Sequence, residues 1–229
     1  MSFDRQQTVA QLVLDHPVTA RVFKAHKIDF CCRGKVTVDV AAAERGLDPQ
    51  LVIAELDRAI GERSAGARES GASVASLSTE ALIQRIVETH HEPLRQALPF
   101  LGGLAVKVAR VHGDKNEKLL ALRDALRELD ESLIPHLDAE EQELFPFLLG
   151  NAPDPGRAEK ELREMHEEHL AVAGILQRIR AAADEFSLPS WACTSYRTLF
   201  SELEELESDL FRHIHLENHV LMPRFIEAN

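Results

Sequence analysis

The chain is short of cysteine, of basic residues and of aromatic side chains, and it has no apolar run of 18 residues that could cross a membrane. Three cysteines, two of them adjacent, cannot build a disulfide framework. The N-terminus lacks the basic start and unbroken apolar run of a signal peptide, so the expectation is a soluble, cytoplasmic protein whose cysteines are thiols. Lys and Arg total 26 against 38 Asp and Glu, a net charge of -12 with a pI near 5.4. That balance argues against nucleic acid and anionic membranes as partners, because both require a basic face. Aromatics make up only 5%, while Leu, Ala, Glu and Arg dominate long stretches, a composition that favours helices and predicts an all-α protein.

Its 229 residues suffice for a small domain joined to a medium one. The break between them is the stretch 61–78, GERSAGARESGASVASLS, with three glycines, five serines and almost no large apolar residue. Read as a flexible linker, its 18 residues span about 23 Å root-mean-square. Residues 1–60 precede it, with short apolar clusters around Val9, Val22, Val38 and Leu51 that predict three or four short helices, Pro17 and Pro49 standing near helix starts. Residues 79–229 follow, with four long periodic segments at approximately 79–112, 115–149, 157–183 and 191–225. Short breaks containing Gly113, NAPDPG and Ser187 to Ser190 separate them, which predicts an up-down-up-down four-helix bundle.

The second and fourth segments share a motif without a gap. HLDAEEQELFP and HIHLENHVLMP both read His-x-x-x-Glu-x-x-x-x-(Phe/Met)-Pro. An offset of 77 residues relates His136, Glu140 and Pro146 to His213, Glu217 and Pro223, and an offset of 78 relates His91 to His169. On a helix, positions i and i+4 share a face about 5–6 Å apart, so each His and Glu can converge on one ion. Each pair also lies on an apolar stripe, Leu122, Leu126, Leu129 and Leu133 leading to His136, and Leu199, Leu203, Leu206 and Leu210 leading to His213. In the third segment Leu162, Met165, Val172 and Leu176 place His169 inward and leave His166 off the stripe. An inward Glu with no compensation carries a desolvation cost of several kcal/mol, and a bound cation supplies the compensation. In the first segment His90 and His91 both remain open, the spacing to Val87, Leu94 and Leu98 favouring His91. The other histidines, His215 and His219 included, are read as surface or outer groups. Four imidazoles and two carboxylates without thiolate suit a non-haem di-iron or di-manganese centre, with zinc as a weaker fit.

These motifs, with HEPLR at His91, MHEEHLAVAG around His169 and HKIDFCCRGK at Cys31 and Cys32, resemble those of the iron–sulfur cluster repair di-iron proteins, whose C-terminal part is a hemerythrin-like bundle. The resemblance implies a non-haem di-iron centre, oxo- or hydroxo-bridged, with His91, His136, Glu140, His169, His213 and Glu217 as ligands. It chooses His91 over His90. It implies a role for Glu168 in iron entry or proton handling, while Ser132 departs from the family's acidic position. It implies repair of iron–sulfur clusters damaged by nitrosative or oxidative stress, by iron donation, with the damaged proteins as partners and nitric oxide or oxygen as small ligands. Two other classes are a nitric oxide reductase at the di-iron centre and a hemerythrin-like sensor of oxygen or nitric oxide. The oligomeric state stays open, a homodimer being one arrangement.

Cys31 and Cys32 cannot form a tetrahedral site alone, and a vicinal disulfide is strained. Arg33 and Lys35 beside them predict lowered thiol pKa values and reactive thiolates, against a bland alternative of two cysteines packing a small core. The resemblance implies that the pair transfers or receives iron. Cys193, in WACTSY, is expected to pack at the start of the fourth bundle helix.

Overall fold

The computed structural model describes residues 3–4, 6–64, 74–150 and 153–226, which form two compact units, Met1–Leu82 with Ile214–Asn229, and Ile83–His213. Among the described residues there is no strand beyond an isolated bridge between Thr8 and Thr37. The all-α reading holds.

The first unit contains α1 (Val9–Asp15), α2 (Thr19–Ala25), α3 (Val38–Glu44) and α4 (Pro49–Ser64). The Thr8 hydroxyl accepts from Gln11 N at 3.1 Å and caps α1, whose Val9, Leu12 and Val13 are buried. α4 opens on Pro49, as its sequence predicts, and packs on α2 and α3. It continues to Ser64, four residues into the predicted linker, and a single 3₁₀ turn occupies Val74–Ser76. Residues 65–73 of that linker lie outside the described residues. Between α2 and α3 the chain makes a tight loop through Cys31 and Cys32, held to α1 by Ala10 N donating to Gly34 O at 2.9 Å. A Cβ on Gly34 would meet Phe30 O at 2.5 Å and Ala10 Cβ at 2.8 Å, so only glycine admits this approach.

The second unit is the helical bundle. Its first helix runs as α5 (Thr79–Ile86, the start of which belongs to the first unit), a wide turn at Val87–His91, and α6 (Glu92–His112). The next comprises α7 (Lys118–Ala139), a wide turn at Glu140–Leu144, and α8 (Phe145–Leu148). Then come α9 (Pro155–Ala182), capped by Asp154 accepting from Arg157 N at 2.7 Å, and α10 (Thr194–Leu216), whose residues from Ile214 on, with the wide turn at Glu217–Leu221, belong to the first unit. α6 packs on α7 and α7 on α9. The leucine stripes read from the sequence are buried, Leu122, Leu126, Leu129 and Leu133 among them.

The wide turns are π turns, and the sequence explains them. Glu92 N bonds Val87 O, Phe145 N bonds Glu140 O and Met222 N bonds Glu217 O, each reaching five residues back instead of four. Each of those donors is followed by proline: Pro93, Pro146 and Pro223. A proline inside a helix has no N–H to donate and its ring crowds the carbonyl four residues earlier, which favours an opened turn before it at these three places, whereas Pro99 and Pro135 sit inside α6 and α7 without one. α9 has its one proline at Pro155, at its start, and stays α-helical past His169.

Candidate metal centre

The three wide turns fall at the level of the candidate ligands. His91 ends the first, Glu140 begins the second and Glu217 begins the third. In the bundle unit the ligand atoms of His91, Glu140 and His213 lie within 4.8 Å of one another, and so do those of His136, Glu140 and His169. Glu140 belongs to both groups. One of its oxygens is 3.5 Å from His91 Nε2 and the other 3.3 Å from His136 Nε2. His91 Nε2 and His213 Nε2 stand 3.0 Å apart, and the rings of His136 and His169 meet edge-on with centroids 5.1 Å apart. All five side chains are buried. α10 carries the chain without a break from His213 to Glu217, which is therefore one turn further along on the same face and is fully buried.

The choice between His90 and His91 is visible in their partners. His91 Nε2 faces the cluster, whereas His90 Nδ1 bonds Asp209 at 2.9 Å and its ring stacks on His213. Burial works to raise the Asp209 pKa, but the bonds from His90 and Arg212 outweigh it and hold that carboxyl below its usual range.

Two carboxylates back the imidazoles. His91 Nδ1 pairs with Glu141 at 2.9 Å, and Arg95 reaches Glu141 at 3.0 Å and Asp138 at 2.7 Å. His136 Nδ1 pairs with Glu168 at 2.6 Å. A proton held on Nδ1 by a carboxylate leaves the Nε2 lone pair facing the cluster, the arrangement that metal-binding histidines use. Burial acts to raise the Glu141 pKa, yet the bonds from His91 and Arg95 prevail and lower it; the Glu168 carboxyl is lowered by its bond to His136. Both act as anions at neutral pH. Sequence reasoning missed Glu141, Arg95 and Asp209, although Glu141 directly follows Glu140 and could have been flagged as its neighbour. For Glu168 the geometry gives a bond to a candidate ligand.

The cysteines depart from expectation. Both thiols of the pair are buried, with sulfurs 3.7 Å apart, while Arg33 and Lys35 are exposed. What faces the sulfurs is Asp29: one carboxylate oxygen accepts from Cys31 N at 3.0 Å and Cys32 N at 2.8 Å and lies 3.3 Å from Cys31 Sγ. The Cys31 thiol is consequently pushed well above its ordinary pKa by its bond to Cys32, by burial and by the Asp29 charge, the reverse of the lowering predicted from the basic neighbours. Cys193 is exposed, not packed, and lies 3.1 Å from His112 Nε2. His215, read as an outer group, is buried: its Nδ1 donates to Phe30 O at 3.0 Å, and Asn218 Nδ2 donates to Cys31 O at 3.0 Å. The Cys31–Cys32 loop is thus bonded to the end of the last helix through His215 and Asn218.

Residues 5–60 match ScdA_N, a domain of unknown function, and residues 82–225 match the hemerythrin HHE cation-binding domain. The chain is 32% identical over 228 residues to a probable iron–sulfur cluster repair protein of Haemophilus influenzae, covering 99% of both chains. It is 33% identical over 220 residues to the iron–sulfur cluster repair protein YtfE of Escherichia coli, covering 96% of each. It is 28% identical over 222 residues to the iron–sulfur cluster repair protein ScdA of Staphylococcus haemolyticus, covering 96% of this chain and 98% of that one. A metal-binding helical bundle behind a small double-cysteine domain, matched over its whole length, places this chain in the iron–sulfur cluster repair family of hemerythrin-like proteins.

Proposed function

We propose that the chain restores damaged iron–sulfur clusters by holding two iron ions in its bundle and donating iron to the damaged protein. The observation that carries this reading is Glu140, whose two oxygens serve two histidine groups at once. His91, His136, His169, His213, Glu140 and, four residues after His213, Glu217 would hold the two ions. The donor set fits iron. Imidazoles and carboxylates without a thiolate, gathered in two groups that share Glu140, are donors that suit a paired iron site better than a single zinc.

Iron held there supplies two exchangeable redox states and open positions for small ligands. The remaining tasks belong to the protein. Glu141 and Glu168 fix the orientation of His91 and His136 and hold their Nδ1 protons, and the leucine stripes keep water from the ligands. The half-exposed edge at Glu168 gives an ion a negative path to His136. In this reading the protein works in the cytoplasm on nitrosylated or oxidised clusters.

Metal analysis of purified protein should find about two iron atoms per chain, and Glu140→Ala should lose both because it serves both groups. Reactivation of a damaged cluster protein should fall with the iron content. One stoichiometric zinc in place of iron, or full repair by iron-free Glu140→Ala, would sink the proposal. Nitrous oxide formed from nitric oxide on the reduced protein, without repair, would replace it with the reductase reading.

A further inference from the structure

The proposed centre leaves a buried imidazole of the bundle without a task. The wide turn at Val87–His91 buries His90 and His91 in succession, and of the two it is His91 that turns its Nε2 to the cluster. His90 lies between a carboxylate and a candidate ligand. Its Nδ1 meets Asp209 Oδ1 at 2.9 Å, and its ring lies nearly parallel to that of His213, with 18° between the planes and 5.6 Å between the centroids. Asp209 and His213 are four residues apart on α10, so carboxylate and candidate ligand share one face of that helix, and His90 bridges them from the turn between α5 and α6.

His91 supplies the comparison. The ring stacked on it, at 24° and 5.8 Å, is that of Phe145, an apolar surface with no proton to place. A residue needed only to pack against His213 could be the same. An imidazole there requires a partner for its N–H, and the partner is a half-buried carboxylate, whose desolvation has a cost that mere packing does not incur. Exposed Arg212 bonds the same carboxylate oxygen at 3.3 Å. A carboxylate that accepts an imidazole proton raises the electron density of the ring, and a negative charge near an iron favours its ferric state over the ferrous one.

We propose that His90 is a positioning residue for His213: with its proton held by Asp209, it fixes the plane of the His213 ring and relays the carboxylate's charge, lowering the reduction potential of the iron that His213 would hold. The pair thereby favours retention of the ion in the bundle until a one-electron reductant adds the electron. This regulation of the centre rests on the repair reading for the presence of iron.

Spectroelectrochemical titration of iron-loaded, full-length protein tests it, with iron content measured on every variant. Asp209→Asn keeps an oxygen for the His90 proton and removes the charge, so it should retain iron and shift the midpoint potential to more positive values. His90→Phe gives His213 the kind of ring that His91 has; it too should retain iron and move the potential upward, and in its background Asp209→Asn should produce a smaller shift. His90→Ala removes the ring and should weaken iron roughly tenfold in competition with a chelator, a loss that His90→Phe restores. An unmoved or more negative potential in Asp209→Asn or His90→Phe, or unchanged iron affinity in His90→Ala, would overturn the inference. So would an Asp209→Asn shift of equal size with and without His90, which would mean that the carboxylate acts through space alone. Parent protein that binds no iron would defeat the repair reading and this inference together. The expected shifts in a protein that reactivates no damaged cluster would defeat the repair reading alone.

Discussion

Glu141 and Glu168 do for His91 and His136 what a ligand cannot do for itself: they fix the ring and its proton. Glu141→Ala should leave the fold intact and lower iron affinity about 10–100-fold, measured by competition with a chelator. Equal affinities in variant and parent would show that the 2.9 Å contact with His91 is incidental. The thiols separate just as sharply by environment. Cys193 is exposed beside His112, whereas Cys31 and Cys32 are buried, so iodoacetamide should modify one thiol rapidly in the native protein and three after denaturation. Rapid labelling that survives Cys193→Ala would contradict this. The inward-facing histidines of the candidate site could be read from the sequence because burial follows a helical period. The thiol pKa could not, because Arg33 and Lys35 are adjacent in sequence yet point to solvent, and the dominant neighbour, Asp29, faces the sulfurs only through the loop's backbone conformation.

Elements reveal a second layer of design. The Phe/Met-Pro step after each His-x-x-x-Glu was visible as a repeated string, but its consequence, a turn with five-residue hydrogen bonding, was not, because spacing of i and i+4 suits α and π turns alike. Pro93 shows the same relation in the first bundle helix without the repeat to announce it. Replacing Pro146 by alanine restores an N–H and removes the ring's crowding, so the turn at Glu140–Leu144 should tighten toward α-helix. The iron-free protein should then gain up to about 3 kcal/mol in stability while its iron affinity falls. Denaturant unfolding of the iron-free forms and chelator competition of the loaded ones check the two halves, and a variant weaker in stability and unchanged in affinity would refute the account. Helix boundaries elsewhere followed the sequence closely, α6 ending before Gly113 and α9 starting at Pro155, whereas the onset of the linker at 61 yielded to α4, which runs on through the polar residues 61–64.

For the molecule as a whole, the proposed centre of buried imidazoles and carboxylates predicts a stability that depends on metal. Ions that bind only the folded state stabilise it by mass action, about 4 kcal/mol at a thousandfold excess over Kd, which for a chain of this size corresponds to roughly 10 °C. Calorimetry before and after reduction and chelation should show a midpoint drop of that order, and an unchanged midpoint would mean that the bundle closes equally well without its ions. Glu217 and Asn218 are consecutive residues, one on the face shared with His213 and the other bound to the carbonyl of Cys31. They also lie in a π turn, where hydrogen-bond geometry is poorer than in the α-helix before it. Both side chains are buried, so a substitution at either has no solvent into which to turn.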